Sequence, residues 1–477
     1  MFVSFILNKL NWYHLLGILL KFKRYRIVTI VTNHALPLKL AKSNYVIALL
    51  LSLLFLQGCS IKNDFFAEPV VKVCDIPYSR YQATVTGYCQ KEKAEFTNEI
   101  DLVAKRLIIR PLDDIAPFFW YTKRLNYTLA KQSTEAPLAF VIAGTGAGHN
   151  SAKNMTLVKT LYSQGYHVIA LSSPTFANHI INAAGQGDMI GDLAKDAKTL
   201  HKIMQLTYQQ SAEEEGISAT SFSLTGYSLG GAHAAYIAKL DQQEKRFNFE
   251  KVVMVNPPVS LFNSVSILDS YLDLKNNQQA VVAMVDHIFE RLAHTYANQR
   301  SSEFTEDSIY QLFNGVNLTE EELKLVIGAS FRMSSSDMMY AIDNVYNIGA
   351  LNYKNHHSGM FESVTHSMYR ADQLTFTDYF EHAMLPWTQK IEPTINREQM
   401  IERLSLTAIE DYLRSAAHIV VTHNADDIIL ADGEIEFIKE VFGSRAQIFE
   451  RGGHCGNMEN VHFVDYIKQQ FAGVTHD

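Results

Sequence analysis

The sequence predicts an α/β fold: a mostly parallel central sheet with crossover helices and one large helical insertion late in the chain. Three observations carry this. Short apolar, β-branched runs alternate with segments of helical period, the pattern of strands linked by crossover helices. One run, Ser221-Phe-Ser-Leu-Thr225, leads into Gly226-Tyr-Ser-Leu-Gly230 and then into small, helix-forming residues, Gly231-Ala-His-Ala-Ala235. Finally, strand candidates nearly vanish between Pro258 and Ala417, and about 155 residues between two core strands is far beyond an ordinary connection.

The elements follow in order. Residues 1–58 read as a leader and residues 59–98 as an extended N-terminal arm. Residues 99–260 hold the first part of the core. There Phe118–Ala130 reads as β structure with its aromatic cluster in the core, Pro137–Ala143 as a strand ending in a glycine loop, and His167–Leu171 as the next strand. Asp188–Gln209 reads as a long amphipathic helix, and Val252–Asn256 as another strand, stopped by Pro257-Pro258. Residues 261–415 form the insertion, with helices expected over Leu261–Asn276, Gln278–Tyr296, Thr319–Phe331 and Asp337–Ile348. Loops at strand carboxyl ends surround the site in such sheets, so this insertion is expected to cap it. Its Met333, Met338, Met339, Tyr340 and Tyr346 would either line a flexible apolar pocket or form the cap's own core. Residues 416–477 complete the core with His418–Thr422 and Gln447–Phe449 as strands and Asn460–Phe471 as the closing helix.

The chemistry gathers around Ser228. A sharp strand-to-helix turn pushes its Oγ into the open, and glycines at 226 and 230 tolerate the close return of the backbone. The pentapeptide alone is a weak signal, with a structural turn serine as the plain alternative. Partners decide the matter, because a nucleophilic serine needs a base, an acid to orient the base, and donors for an oxyanion. The run His418–Thr422 empties into His423-Asn-Ala-Asp-Asp-Ile428, where Asp427 is the candidate acid and Asp426 its reserve. A cap or turn role is the commoner fate of such aspartates. His454, in the loop Glu450-Arg-Gly-Gly-His-Cys-Gly456, is the candidate base. Of the other histidines, His233 reads as a packing residue, His423 as a strand-end hydrogen-bonder, and His149 retains a small functional claim. The backbone N–H groups of Thr145 and Leu229 are the candidate oxyanion donors. The loop Gly144-Thr-Gly-Ala-Gly148 lacks a Walker lysine and the G-x-G-x-x-G spacing, which argues against nucleotide binding. No metal or organic cofactor is called for.

Gly144-Thr145-Gly146, Gly226-Tyr-Ser-Leu-Gly230, His423-x-x-x-Asp427 and Gly453-His454 stand in the order of the α/β-hydrolases. Over about residues 100–260 and 416–477 the chain resembles that family. The resemblance implies the α/β-hydrolase fold and cleavage of a carboxylic ester, thioester or amide through an acyl-serine. A small-molecule or lipid-like acyl compound would be the substrate. Two positions depart from the family's habit: Ala143 precedes the glycine turn where histidine is common, and Asn424 stands in the acid turn where glycine is frequent. An acyltransferase on the same residues is a rival reading. A catalytically silent binding module is another, since fold does not guarantee chemistry.

The chain of 477 residues is 47% hydrophobic, enough for a large core, and its net charge of −8 with no long basic run argues against a nucleic-acid partner. Tyr45–Leu56 is an apolar run too short for a bilayer span and right for a signal peptide, with Lys39 and Lys42 ahead of it. Leu56-Gln-Gly-Cys59 resembles a bacterial lipobox, which implies lipidation of Cys59, a membrane anchor and an envelope location facing the periplasm. Ser60 resembles outer-membrane sorting. A 58-residue leader is long, so either translation starts downstream, near Leu36 or Leu38, or the leader holds a further membrane-associating stretch. Cys74 and Cys89 are the expected disulfide, worth about 3 kcal/mol on the chain-entropy account. Cys455 is left as an inert buried thiol or a reactive one. The oligomeric state is open.

Overall fold

β-branched residues pack well on a pleated surface and pair in series here. A computed structural model describes residues 78–89, 92–96, 100–183, 189–272, 318–351 and 364–472. Among them, β1 (Leu102–Leu107), β2 (Leu125–Ala130), β3 (Ala136–Ile142), β4 (His167–Leu171), β5 (Ala219–Tyr227), β6 (Lys251–Val255), β7 (Ile419–Asn424) and β8 (Ala446–Phe449) form one sheet. Its order is β1-β2-β4-β3-β5-β6-β7-β8. β2 runs antiparallel to β1 and β4, and every other pairing is parallel. Strands β3 to β7 are buried along most of their length, as expected where helices cover both faces, whereas β1 alternates exposed and half-buried residues at the edge. The described residues belong to one compact unit, Ile76–Asp477; Met1–Asp75 divides from it as a second unit and is not described.

The helices, in chain order, are α1 (Arg80–Thr86), α2 (Ala152–Tyr162), α3 (Ala177–Ala183), α4 (Leu193–Glu215), α5 (Leu229–Glu244), α6 (Leu261–Ser270) and α7 (Glu320–Tyr346). Then come α8 (Thr365–Ala371), α9 (Phe376–Tyr379), α10 (Leu385–Ile391), α11 (Arg397–Arg403), α12 (Glu410–Ser415), α13 (Glu434–Phe442) and α14 (Val461–Phe471). Parallel register places the ends of β3, β5, β7 and β8 along one edge of the sheet: Ile142 pairs with Gly226, Tyr227 with Val255, Val255 with Thr422, and Asn424 with Phe449. The glycine loop, the serine turn, the aspartate turn and the histidine loop all leave from that edge. The fold is of the α/β-hydrolase type.

Several elements differ from the sequence reading. The arm is not extended throughout, since Ser79 caps α1 by accepting from Gln82 N–H. Phe118–Ala130 is only half strand. Pro117 opens a 3-10 helix, Pro117–Thr122, that buries Phe119 but leaves Trp120 60% and Tyr121 63% exposed. The long helix starts later than expected because Asp192 caps it, and ends where Gly216 takes the left-handed conformation. Leu261–Asn276 is helical only to Ser270, with the stretch after Leu272 not described; Gln278–Tyr296 also lies outside the described residues. The helices expected over Thr319–Phe331 and Asp337–Ile348 are one, α7. The serines between them are accommodated inside the helix with their hydroxyls turned back on it: Ser335 donates to Arg332 O (2.8 Å) and Ser336 to Arg332 O (2.9 Å).

The insertion has a core of its own. Met338, Met339 and Tyr340 are buried there with Phe376, Tyr379, Phe380 and Met384, and with Phe119 and Ile180 of the first part. Tyr346 stacks edge-on to Trp387 (6.0 Å), and Met333 is half-buried. A wide π-turn, Phe380–Met384, joins α9 to α10, and its last bond runs from Leu385 N–H to Phe380 O just before Pro386, which has no N–H to give. Tyr379 Oη donates to Ile190 O (2.8 Å) and Arg403 pairs with Asp192 (2.7 Å), fastening the insertion to the core.

Candidate active site

The turn after β5 is tight for reasons written in its glycines. A Cβ on Gly226 would run into the carbonyl of Gly230, and one on Gly230 into the carbonyls of Ile142 and Ala143. Between them Ser228 sits at φ 55°, ψ −128°, a strained conformation of the kind that costs about 1–3 kcal/mol and persists where the surroundings enforce it. Here they do: Ser228 N–H donates to Val255 O (2.8 Å) and its carbonyl accepts from Gly231 N–H (2.9 Å), starting α5. Ser228 is half-exposed between buried Tyr227 and Leu229.

Ser228, His454 and Asp427 meet. His454 Nε2 lies 2.9 Å from Ser228 Oγ, and His454 Nδ1 lies 3.1 Å from each oxygen of Asp427. The Asp427 side chain is fully buried and that of His454 is 15% exposed. Asp427 also accepts from Asn256 Nδ2 (2.9 Å) and Ile429 N–H (3.1 Å). Burial alone would raise this carboxyl, but the charge and hydrogen bond of His454 and the bonds from its neighbours hold it below the ordinary value. For His454, burial alone would lower the imidazole. Asp427 outweighs that and raises it above its usual 6.5. With Asp427 ionised, the proton on the resting neutral ring belongs on Nδ1, which leaves Nε2 to accept from Ser228.

Asp426, the reserve acid, points elsewhere: it accepts from Gly453 N–H (2.8 Å), so it holds the histidine loop rather than the histidine. Asn424 works beside it, donating to Gly453 O (2.8 Å) and to Asn457 Oδ1 (2.9 Å). A Cβ on Gly452 would overlap the Asn424 amide, at 2.5 Å from Nδ2, so glycine is needed there. His423 is buried and its pKa lowered by that burial. It accepts from Asn424 N–H at Nδ1 (3.1 Å) and faces Pro257 O with Nε2 (3.1 Å), which assigns its proton to Nε2.

The glycine loop after β3 lies against the serine. A Cβ on Gly144 would stand 3.0 Å from Ser228 Cβ and 2.8 Å from the Tyr227 ring. Gly146 N–H is taken by Thr175 Oγ1 (2.8 Å) and Ala147 N–H by Gly144 O (3.0 Å). The N–H groups of Thr145 and Leu229 meet no acceptor among the described residues, the condition expected of donors kept for an anion. From the cap, Ser334 of α7 approaches the same loop, 2.5 Å from where a Gly146 Cβ would be.

Of the remaining candidates, the histidines are placed apart from this chemistry and Cys455 lies beside it. His149 Nδ1 bonds Thr128 Oγ1 (2.7 Å), and burial pushes its pKa down to about 4. His233 is buried in α5 with Nε2 3.3 Å from Asp196 Oδ2. Cys89 is disulfide-bonded; its expected partner Cys74, like Cys59, lies outside the described residues. Cys455 is a buried free thiol with Sγ 3.9 Å from His454 Nε2. Among the described residues no group of three or more His, Cys, Asp or Glu is placed to hold a metal, and no helix is long and apolar enough to cross a membrane. Sequence reasoning missed Asn256, directly after β6, and Thr84 of α1, which accepts from His454 N–H (2.9 Å). Asn256 carried one faint signal, an Asn-Pro at the end of a core strand; Thr84 carried none.

No family model matches the chain, and no curated protein does. Among solved structures it is similar to a serine hydrolase from the polyaromatic hydrocarbon-degrading bacterium Cycloclasticus zankles, at 14% identity over 79% of this chain and 100% of that one, TM-score 0.38. It is similar to carboxyl esterase 2 of the mycorrhizal fungus Tuber melanosporum at 13% identity over 86% and 95%, TM-score 0.37. A thioesterase domain from a curacin biosynthetic pathway matches at 12% identity over 78% and 100%, TM-score 0.35.

Proposed function

We propose that the protein is a serine hydrolase that cleaves a carboxylic ester, thioester or amide through an acyl-serine intermediate. The observation that carries this reading is the unbroken chain Ser228 Oγ–His454 Nε2, His454 Nδ1–Asp427, with the carboxylate buried and otherwise satisfied. As Ser228 Oγ attacks the acyl carbon, its proton passes to His454 Nε2 and the carbonyl π electrons move onto oxygen. The N–H groups of Leu229 and Thr145 receive that oxyanion; one such donor typically contributes about 3 kcal/mol. Collapse expels the leaving group, which takes the proton from His454. Water then attacks the acyl carbon as His454 Nε2 takes its proton, and collapse breaks the acyl–Oγ bond, Ser228 Oγ taking that proton back as the acid is released. Asp427 keeps Nδ1–H directed and balances the transient imidazolium.

The test uses protein lacking residues 1–59, wild type against Ser228→Ala, on a panel of esters, thioesters and amides. Labelling by a fluorophosphonate probe that disappears in Ser228→Ala supports the reading, and undiminished ester turnover in that variant removes Ser228 from the mechanism.

We also propose that the mature chain is anchored by lipid on Cys59 and faces the periplasm of a bacterial envelope. The lipobox-like Leu56-Gln-Gly-Cys59 supports this, and so does an oxidised Cys89, since disulfides persist in oxidising compartments. Radiolabelled palmitate incorporation that persists in Cys59→Ala would count against it.

A further inference from the structure

The segment ahead of the sheet folds against the far end of the chain. Thr84 Oγ1 accepts from His454 N–H (2.9 Å) and donates to Arg80 O (2.7 Å), so one hydroxyl links α1 to the histidine loop. The loop's glycines fit the helix's carbonyls. A Cβ on Gly453 would strike Arg80 O and stand 2.5 Å from Thr84 Oγ1, and one on Gly456 would strike Ala83 O. Tyr88 N–H donates to Gly456 O (2.7 Å), Ala94 N–H to Glu459 O (2.8 Å), and Lys93 pairs with Glu459 (3.0 Å). On its other side α1 is held through Tyr81, whose ring meets Tyr271 edge-on (5.8 Å) and lies under the Lys324 ammonium (4.9 Å). Cys89, which follows α1 in this segment, is disulfide-bonded.

We infer that Thr84 is a positioning residue for the catalytic histidine, and that the N-terminal helix is thereby part of the active site's support. The inference rests on the hydrolase reading of Ser228, His454 and Asp427. The histidine loop has no regular structure to define it: Gly452, Gly453 and Cys455 all have positive φ (155°, 54° and 58°). One internal bond, Gly456 N–H to Gly452 O (2.9 Å), closes a turn around His454, and groups outside the loop fix the rest. Asp426 and Asn424 hold Gly453 from the sheet side, and Thr84 holds the backbone of His454 itself. Removing that hydroxyl leaves a peptide N–H without its acceptor and frees the one residue whose ring must bridge Ser228 and Asp427. A displacement of an ångström at such a point is enough to cost about a hundredfold in rate.

Full-chain Thr84→Val and Thr84→Ser, compared with wild type, separate a positioning hydroxyl from simple packing. Valine keeps the shape of threonine without its oxygen; serine keeps the oxygen. On a p-nitrophenyl ester, Thr84→Val is expected to lower kcat about ten- to a hundredfold with KM little changed, and Thr84→Ser to restore it. The His454 imidazole titration, followed by NMR, is expected to move down in Thr84→Val as the ring slackens against Asp427, and to return in Thr84→Ser. Wild-type kcat together with an unmoved titration in Thr84→Val would overturn the inference, as would a loss that serine fails to rescue. If wild-type protein takes no fluorophosphonate label at Ser228, the hydrolase reading fails. The titration needs no turnover and still decides the role of Thr84.

Discussion

Asp427 and Asp426 carry the same carboxylate one peptide apart. The first is fully buried, faces His454 and accepts from Asn256 and Ile429, so it stays ionised; the second, raised by burial, accepts from Gly453 N–H and shapes the loop. Their amide variants should therefore diverge. Asp427→Asn keeps the volume but presents the wrong tautomer, and kcat should fall by about four orders of magnitude. Asp426→Asn retains an oxygen for Gly453 and should lose far less. Steady-state turnover of an ester by both variants checks this. Asp427 holds His454 protonated to a higher pH than a free imidazole, against the pull of burial, so kcat/KM should climb with pH along a limb lying above 6.5. In Asp427→Asn that limb should shift down. The stability due to the raised histidine is complete below about pH 6.5 and is lost as pH rises through the folded-state value.

At the scale of elements, α7 links the insertion to the site. Thr319 and Glu322 close a capping box at its start, and Ser334 lies over the oxyanion loop at Gly146, whose φ of +67° already favours glycine. Gly146→Ala should depress turnover for two reasons, backbone strain of about 1–2 kcal/mol and collision with Ser334. Adding Ser334→Gly should relieve only the second, so the double variant recovers part of kcat; full recovery, or none, would show that a single cause acts. Elements of this kind were unevenly legible in the sequence. The serine turn was plain because its logic is local, glycines flanking one serine. The two helices expected over Thr319–Phe331 and Asp337–Ile348 are one, because the serines between them sit inside the helix with their hydroxyls turned back on carbonyls of the preceding turn instead of capping an end. Phe118–Ala130 read as β structure with its aromatic cluster in the core, yet Pro117 set the start of a helical turn over the first five of those residues and left Trp120 and Tyr121 in solvent.

Across the whole molecule, what escaped the sequence is what depends on distance along it. The order serine, acid, histidine is a pattern that can be read linearly, and the parallel sheet follows from alternating strands and helices. Thr84 and Asn256 have no such pattern, because each earns its place only from a partner hundreds or scores of residues away. His454 N–H and Thr84 Oγ1 are separated by 370 positions. That span sets an order on biosynthesis. Until the last part of the chain is made, Ser228 has no imidazole beside it and Thr84 has no His454 N–H to accept. Polypeptides truncated before residue 454 should therefore be chemically mute. Released chains shortened stepwise from the carboxyl end, probed with fluorophosphonate, should label only when they still contain residue 454.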